Sequence, residues 1–218
     1  MKAAIFDLDG TLIDSMWIWE GLASRYLQEI GIMAPDDLRE SIKHYSLLEA
    51  SHYMKDRFNI ENSPEEINAH IEEILKGYYE NEFQLKDNAR ELLEELKKRN
   101  IKMCVATATE DELAMSAMKR LEIDHYFEFL QTCNATGLQK GDKRFFEIAI
   151  ERLNEDPKDI WVFEDAYHCM ESAKEANLNV LAIEDKSAAG DRENIKGISD
   201  IYIKSFDELD IDKLKTRK

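Results

Sequence analysis

The sequence predicts an α/β protein, a three-layer core built on a parallel sheet and interrupted early by a block of helices. Three observations carry this expectation. From Asp87 onward, short apolar runs alternate with helical patterns, the arrangement of a parallel sheet covered on both faces. The first apolar run, Ala3-Ala4-Ile5-Phe6, lies far upstream of the next, which begins at Ile101. Between them, from about Trp17 to Phe83, the apolar spacing is helical and no convincing strand occurs. The expected division is therefore residues 1–15 with 87–218 as the core, and 16–86 as the insert.

Each element has its own signal. Ala3 to Phe6 reads as a buried strand that stops at Asp7. In the insert, Ile18, Leu22 and Tyr26 stack at helical spacing with Ala23 and Ile30 beside them. Ser63-Pro64-Glu65-Glu66 combines an N-cap Ser, a Pro at the first helical position and a capping-box Glu. Ile67, Ile71, Ile74, Leu75 and Tyr78 then form one apolar face. Beyond it, Ala89, Leu92, Leu93 and Leu96 line a helix, and Ile101 to Thr107 reads as a strand. Phe145, Phe146, Ala149, Ile150 and Leu153 mark another helix. Ile160 to Phe163, Asn179 to Ile183 and Ile201 to Ile203 complete the expected strands. Ser205 and Glu208 repeat the capping-box spacing.

Composition narrows the function. The 218 residues carry 29 Lys and Arg against 46 Asp and Glu, a formal charge of −17. That balance argues against a general nucleic-acid binder, which needs basic stripes, and against docking on anionic membranes. A small phosphorylated substrate remains compatible, because a cation and one or two Lys reverse the field inside a cleft. Cys104, Cys133 and Cys169 lack framework or zinc-site spacing, which suggests reduced thiols and a cytoplasmic protein. Four apolar residues before Asp7 are too few for a signal-peptide core, and no run reaches transmembrane length.

Chemistry concentrates where strands end. Asp7 and Asp9 follow the first strand, with Gly10-Thr11 opening a turn. Two acids this close repel each other unless a cation lies between them, and Mg2+ suits oxygen ligands. Thr107 ends the second expected strand, and Glu164-Asp165 follow Phe163. Parallel strands bring these ends to one edge of the sheet, where open α/β proteins keep their sites. Lys140 precedes the helix bearing Phe145 and can reach the same edge, with Lys143 as its competitor. A carboxylate nucleophile, metal ligands, a hydroxyl and a cation make a phosphoryl-transfer set.

With these residues in hand, the chain resembles the haloacid dehalogenase superfamily, in its branch with a helical cap inserted after the first strand. Within that branch it is similar to the β-phosphoglucomutase-like phosphatases. The specific motif is Asp7-Leu8-Asp9-Gly10-Thr11, and Thr107, Lys140 and Glu164-Asp165 agree with it in order and spacing. The resemblance implies a Rossmann-like core and a Mg2+-dependent phosphatase acting on a small phosphorylated metabolite, a sugar phosphate among the candidates. It implies that Asp7 attacks phosphorus and that Asp9 protonates the leaving group, then activates water. Thr107, the Ala108 backbone and Lys140 would hold the phosphoryl oxygens, and Lys140 would also neutralise Asp7. Asp7, the Asp9 carbonyl and Asp165 would bind Mg2+, with Glu164 acting directly or through water.

Several positions depart from the family pattern. Cys169 stands for a glycine, Lys86-Asp87 for Pro-Gly, and Gly141 for a proline. Trp19 occupies a position where mutases and many sugar phosphatases carry a His for acid–base relay, which weakens the alternative of a phosphosugar isomerase. A catalytically silent phospholigand-binding regulator is a further alternative, disfavoured because all four motifs are intact. A dehalogenase would need neither Asp9 nor Asp165. Among the histidines, His70 and His125 are expected to be surface or packing residues, while His44 and His52 lie in a stretch that approaches substrate in this family. Trp17 and Trp19 are expected to pack in the cap or its hinge, and Met103, Met115 and Met118 in the core. The sequence identifies no protein partner.

Overall fold

The structure is a computed structural model describing residues 1–42, 45 and 47–214, the side chain of Glu20 excepted. The described chain divides into two compact units, Met1–Ser15 with Phe83–Lys218, and Met16–Glu82.

The first unit is built on a six-stranded parallel sheet. Its strands are β1 (Ala3–Phe6), β2 (Lys102–Thr107), β3 (Phe129–Thr132), β4 (Ile160–Glu164), β5 (Asn179–Ile183) and β6 (Ile201–Ile203), in the order 3-2-1-4-5-6. β1 lies between β2 and β4, with Phe6 opposite Val105 and Phe163. All residues of β1, β4 and β5 are buried, as expected of strands covered on both faces. On one face, Ala3, Ile5, Cys104, Ala106 and Val162 pack with Phe145, Phe146, Ala149 and Leu153 of helix 143–153 and with Met170 and Ala173 of helix 167–175. The alternate residues face the other way, and there Phe6 stacks on Phe163 with ring centroids 4.3 Å apart.

β3 escapes the sequence reading. Phe129-Leu130-Gln131-Thr132 has two apolar residues, both half-buried, and lies at the edge of the sheet. An edge strand needs less apolar surface than a central one, so its run is too weak to stand out. Met103 and Met118 are buried as expected, and Met115 is half-buried.

Among the described residues of the second unit, helices cover Met16–Glu29, Leu38–Ile42, Leu47–Phe58 and Pro64–Asn81. Ile18, Leu22 and Tyr26 of the first and Ile67, Ile71, Leu75 and Tyr78 of the last are buried. The capping box at Ser63 forms in full. The Ser63 hydroxyl accepts from the Glu66 amide at 3.2 Å, and the Glu66 carboxylate accepts from the Ser63 amide at 2.8 Å.

Some expectations need correction. The expected return to the core at residue 87 comes at Phe83 instead. Phe83 is buried, the Asp14 amide donates to the Gln84 carbonyl at 2.9 Å, and the Lys86 amide donates to the Leu12 carbonyl at 2.9 Å. An antiparallel bridge joins Ile13 to Leu85, so backbone pairing ties 83–86 to the first loop. Ile30 is exposed rather than packed, because the helix ends at Glu29. Trp17 and Trp19 are also exposed, although Trp17 meets Tyr78 edge-on at 5.5 Å. Ser205 caps no helix through its side chain, since only one 3-10 turn, Phe206–Glu208, follows it. His70 and His125 are exposed, as is His52, whereas His44 lies outside the described residues. No helix among the described residues is long and apolar enough to cross a membrane.

Candidate active site

The site lies at the carboxyl ends of β1, β2 and β4. Asp7 follows β1 directly, and its amide donates to the Phe163 carbonyl at 3.0 Å. The central position of β1 therefore buries the Asp7 carboxylate between neighbours on both sides. Lys140 Nζ donates to Asp7 Oδ1 and lies 2.8 Å from Glu164 Oε2. Lys143, the competing lysine, is half-exposed and pairs with Glu147 on its own helix. The Lys140 backbone is anchored in turn, because the buried Ser172 hydroxyl donates to its carbonyl at 2.7 Å.

Asp7, Glu164 and Asp165 each place a carboxylate oxygen within 4.8 Å of the others. All three are buried, and burial with mutual repulsion shows in the protonation of Glu164 and Asp165. Burial pushes the Glu164 carboxyl up to about 7, reinforced by the Asp7 charge and opposed by Lys140. Burial likewise holds Asp165 well above the usual carboxylate range, with Asp7 and Glu164 adding to the effect. Burial alone would lower Lys140, but the Asp7 and Glu164 charges outweigh it and hold the ammonium well above its usual value.

Two buried oxygens in this cluster, Asp7 Oδ2 and Glu164 Oε2, lack a hydrogen-bond partner among the described residues. The second has only its ion pair with Lys140. An orphaned buried carboxylate oxygen is costly. A hard divalent cation with oxygen ligands would satisfy Asp7 Oδ2 and relieve the repulsion. The residues present therefore fit a metal of the Mg2+ type. Glu164 is held at its other oxygen, where Oε1 accepts from the Asp165 and Ala166 amides at 3.3 and 3.1 Å.

The loop after β1 is shaped by its own backbone. The Gly10 amide donates to the Ile13 carbonyl, and the Leu12 and Ile13 amides both donate to the Leu8 carbonyl. The tight fold puts Gly10 at φ +81°, a left-handed conformation that glycine adopts without strain. Thr11, inside this loop, donates its hydroxyl to Asp165 Oδ1 at 3.3 Å. Asp9 is half-buried and is gripped at both oxygens. Ser15 donates to Oδ1 at 2.7 Å and Thr109 to Oδ2 at 2.5 Å. Thr107 is buried at the end of β2 and accepts from the Thr109 amide at 3.1 Å. Ala108 is exposed beyond the strand, so it offers the site only backbone.

The sequence reading missed Thr11, Ser15, Thr109 and Ser172. None belongs to an apolar period or a charged cluster. The only available signal was proximity: Thr11 lies inside the first motif, and Thr109, Ser15 and Ser172 follow Thr107, Thr11 and Asp165 by two, four and seven residues.

A family model described as haloacid dehalogenase-like hydrolase matches residues 4–183, a span that contains every residue of this cluster. The chain belongs to the haloacid dehalogenase-like hydrolases. Among similar members, a phosphorylated carbohydrates phosphatase from Thermotoga maritima is 28% identical over 178 residues, covering 82% of each chain. A phosphoglycolate phosphatase from Aquifex aeolicus is 26% identical over 181 residues, covering 81% of each. A Thermotoga maritima crystal structure of a candidate β-phosphoglucomutase superposes with a TM-score of 0.87 at 25% identity, covering 98% of this chain and 99% of the other. The six-stranded parallel sheet of this haloacid dehalogenase-like hydrolase is thus the fold of its relatives.

Proposed function

We propose that this hydrolase is a Mg2+-dependent phosphatase that cleaves a small phosphorylated metabolite, with sugar phosphates foremost, through an aspartyl phosphate on Asp7. The observation that carries the reading is the buried Asp7 carboxylate, with one oxygen on Lys140 and the other lacking any hydrogen-bond partner among the described residues. A carboxylate so desolvated, beside a fixed cation, is suited to attack at phosphorus.

In the first step an Asp7 oxygen bonds to phosphorus as the bond to the leaving oxygen breaks. Asp9 gives that oxygen its proton. In the second step Asp9 takes a proton from water as the water oxygen bonds to phosphorus. The Asp7–phosphorus bond breaks, releasing phosphate and restoring the carboxylate. One group thus serves as acid and then base. Thr107 accepts the Thr109 amide, which leaves its hydroxyl hydrogen to donate to a phosphoryl oxygen beside the Ala108 backbone. Lys140 offsets the negative charge of Asp7 and phosphate. Asp7, Asp165 and the Asp9 carbonyl would hold the Mg2+, with Glu164 directly or through water, and the ion would supply charge neutralisation on phosphoryl oxygens.

The names of the relatives support the substrate class, since both curated ones are phosphatases of small phosphorylated compounds. Residues 16–82 take the part of the cap. A phosphate-release screen over sugar phosphates, phosphoglycolate and nucleotides, with and without Mg2+, tests the reading. Release that needs Mg2+ and peaks on sugar phosphates is expected, and no release from any compound overturns it. The structural likeness to a candidate β-phosphoglucomutase favours isomerisation as the second reading. Hexose phosphates interconverting without free phosphate would establish that instead.

A further inference from the structure

We propose that Thr109 is a positioning residue that holds Asp9 in register with the phosphate cradle. The inference rests on the acid–base role assigned to Asp9 above. Two of the bonds that Thr109 makes serve different purposes. Its amide donates to Thr107 Oγ1 at 3.1 Å, and its hydroxyl donates to Asp9 Oδ2 at 2.5 Å. One residue therefore links the end of β2, where phosphoryl oxygens would bind, to the loop after β1, where the proton would move.

The link matters because Asp9 is half-buried, so packing alone fixes its side chain less than hydrogen bonds do. Backbone bonds within 8–13 fix its main chain, and bonds to the carboxylate itself set where its oxygens lie. Ser15 grips the other oxygen at 2.7 Å, yet Ser15 lies six residues further along the same loop. Thr109 comes from a position 100 residues away in sequence, so it alone of the two relates the Asp9 carboxylate to the second strand. Misplacing a catalytic group by about 1 Å can cost about a hundredfold, which makes such a bond consequential for the reaction.

Holding the acid should matter most when the leaving group needs a proton. An alkyl or sugar alkoxide is a poor leaving group and depends on Asp9. A nitrophenolate leaves without help. The test compares kcat/KM, which reports the step up to formation of the aspartyl phosphate, for glycerol 3-phosphate and for p-nitrophenyl phosphate with Mg2+ present. Thr109→Val removes the hydroxyl at constant volume. It is expected to lower kcat/KM about tenfold on glycerol 3-phosphate and less than about twofold on p-nitrophenyl phosphate, a fraction of the hundredfold or more that general acids supply. Thr109→Ser, which keeps the hydroxyl, is expected to restore the ratio.

Equal losses on both substrates would show a merely structural role and overturn the proposal, as would Thr109→Ser failing to restore the ratio. Asp9→Asn serves as the reference. If it steepens the leaving-group dependence while Thr109→Val does not, the Thr109 proposal alone fails. If Asp9→Asn leaves that dependence unchanged, the acid–base reading itself fails.

Discussion

Asp7 and Lys140 form one buried ion pair, and the proposed chemistry turns on it. Asp7→Asn keeps the size of the side chain but removes the charge and weakens the nucleophile. Phosphate release is expected to fall by at least about 10³-fold, the scale on which removal of a nucleophile registers, while circular dichroism stays that of the wild type. Retained turnover would exclude Asp7 as the attacking group. Lys140→Met makes a different prediction. It leaves Asp7 and Glu164 buried without their cation, and removing one partner of a buried pair costs about 3–5 kcal/mol. Denaturant unfolding without metal should show that loss, and added Mg2+ should recover part of it, since the ion supplies positive charge to the same carboxylates. The exposed Lys143 offers the control, because Lys143→Met breaks only a surface pair with Glu147 and should move stability by less than about 1 kcal/mol.

The helices and strands differ in how openly the sequence states them. β1, β4 and β5 are continuous apolar runs because both their faces are covered, and helix 89–98 shows Leu92, Leu93 and Leu96 at helical spacing. Ser63 to Glu66 is equally legible, since a capping box is local chemistry between residues three apart. Ser63→Ala removes one side of that box and should lower stability by about 1 kcal/mol, measurable as an earlier midpoint in urea. β3 was hidden by its half-exposed edge position. The cluster at the strand ends was legible for the charged members, because Asp7, Lys140 and Glu164-Asp165 each follow or precede a recognisable element. The hydroxyls on Asp9 were not, because the approach of position 109 to position 9 depends on strand order, which no local pattern encodes. Lys86 belongs to the same class. Where a Pro-Gly was the family expectation, Lys86 instead donates to Asp185 Oδ2 at 2.8 Å and to the Glu184 carbonyl at 3.0 Å. That pair is largely buried and fastens the segment after Leu85 to the end of β5.

For the molecule as a whole, charge and metal binding are linked through pH. The Glu164 carboxyl titrates near 7 when folded, against an ordinary 4.5, and Asp165 is raised too. Between about pH 4.5 and 7 the metal-free folded protein keeps a proton that the unfolded chain has released, so its stability falls as pH rises through that window. A bound cation replaces those protons, and protons in turn compete with it. Mg2+ should therefore raise Tm more at pH 8 than at pH 5, and at a hundredfold excess over its pH 8 Kd the stabilisation there is about 2.7 kcal/mol. Melting curves in chelator and in Mg2+ at both pH values measure this, and equal shifts at the two would contradict it. The sheet order carries one more consequence, for biosynthesis. β1 pairs with residues 102–105 of β2 and 160–163 of β4, so the strand that leads into Asp7 emerges from the ribosome long before either partner exists. At about 5–20 residues per second it waits on the order of ten seconds for its second neighbour. Throughout that interval Ala3-Ala4-Ile5-Phe6 is an apolar strand lacking a partner on at least one side, and chaperone capture of nascent chains should be strongest before residue 164 is made.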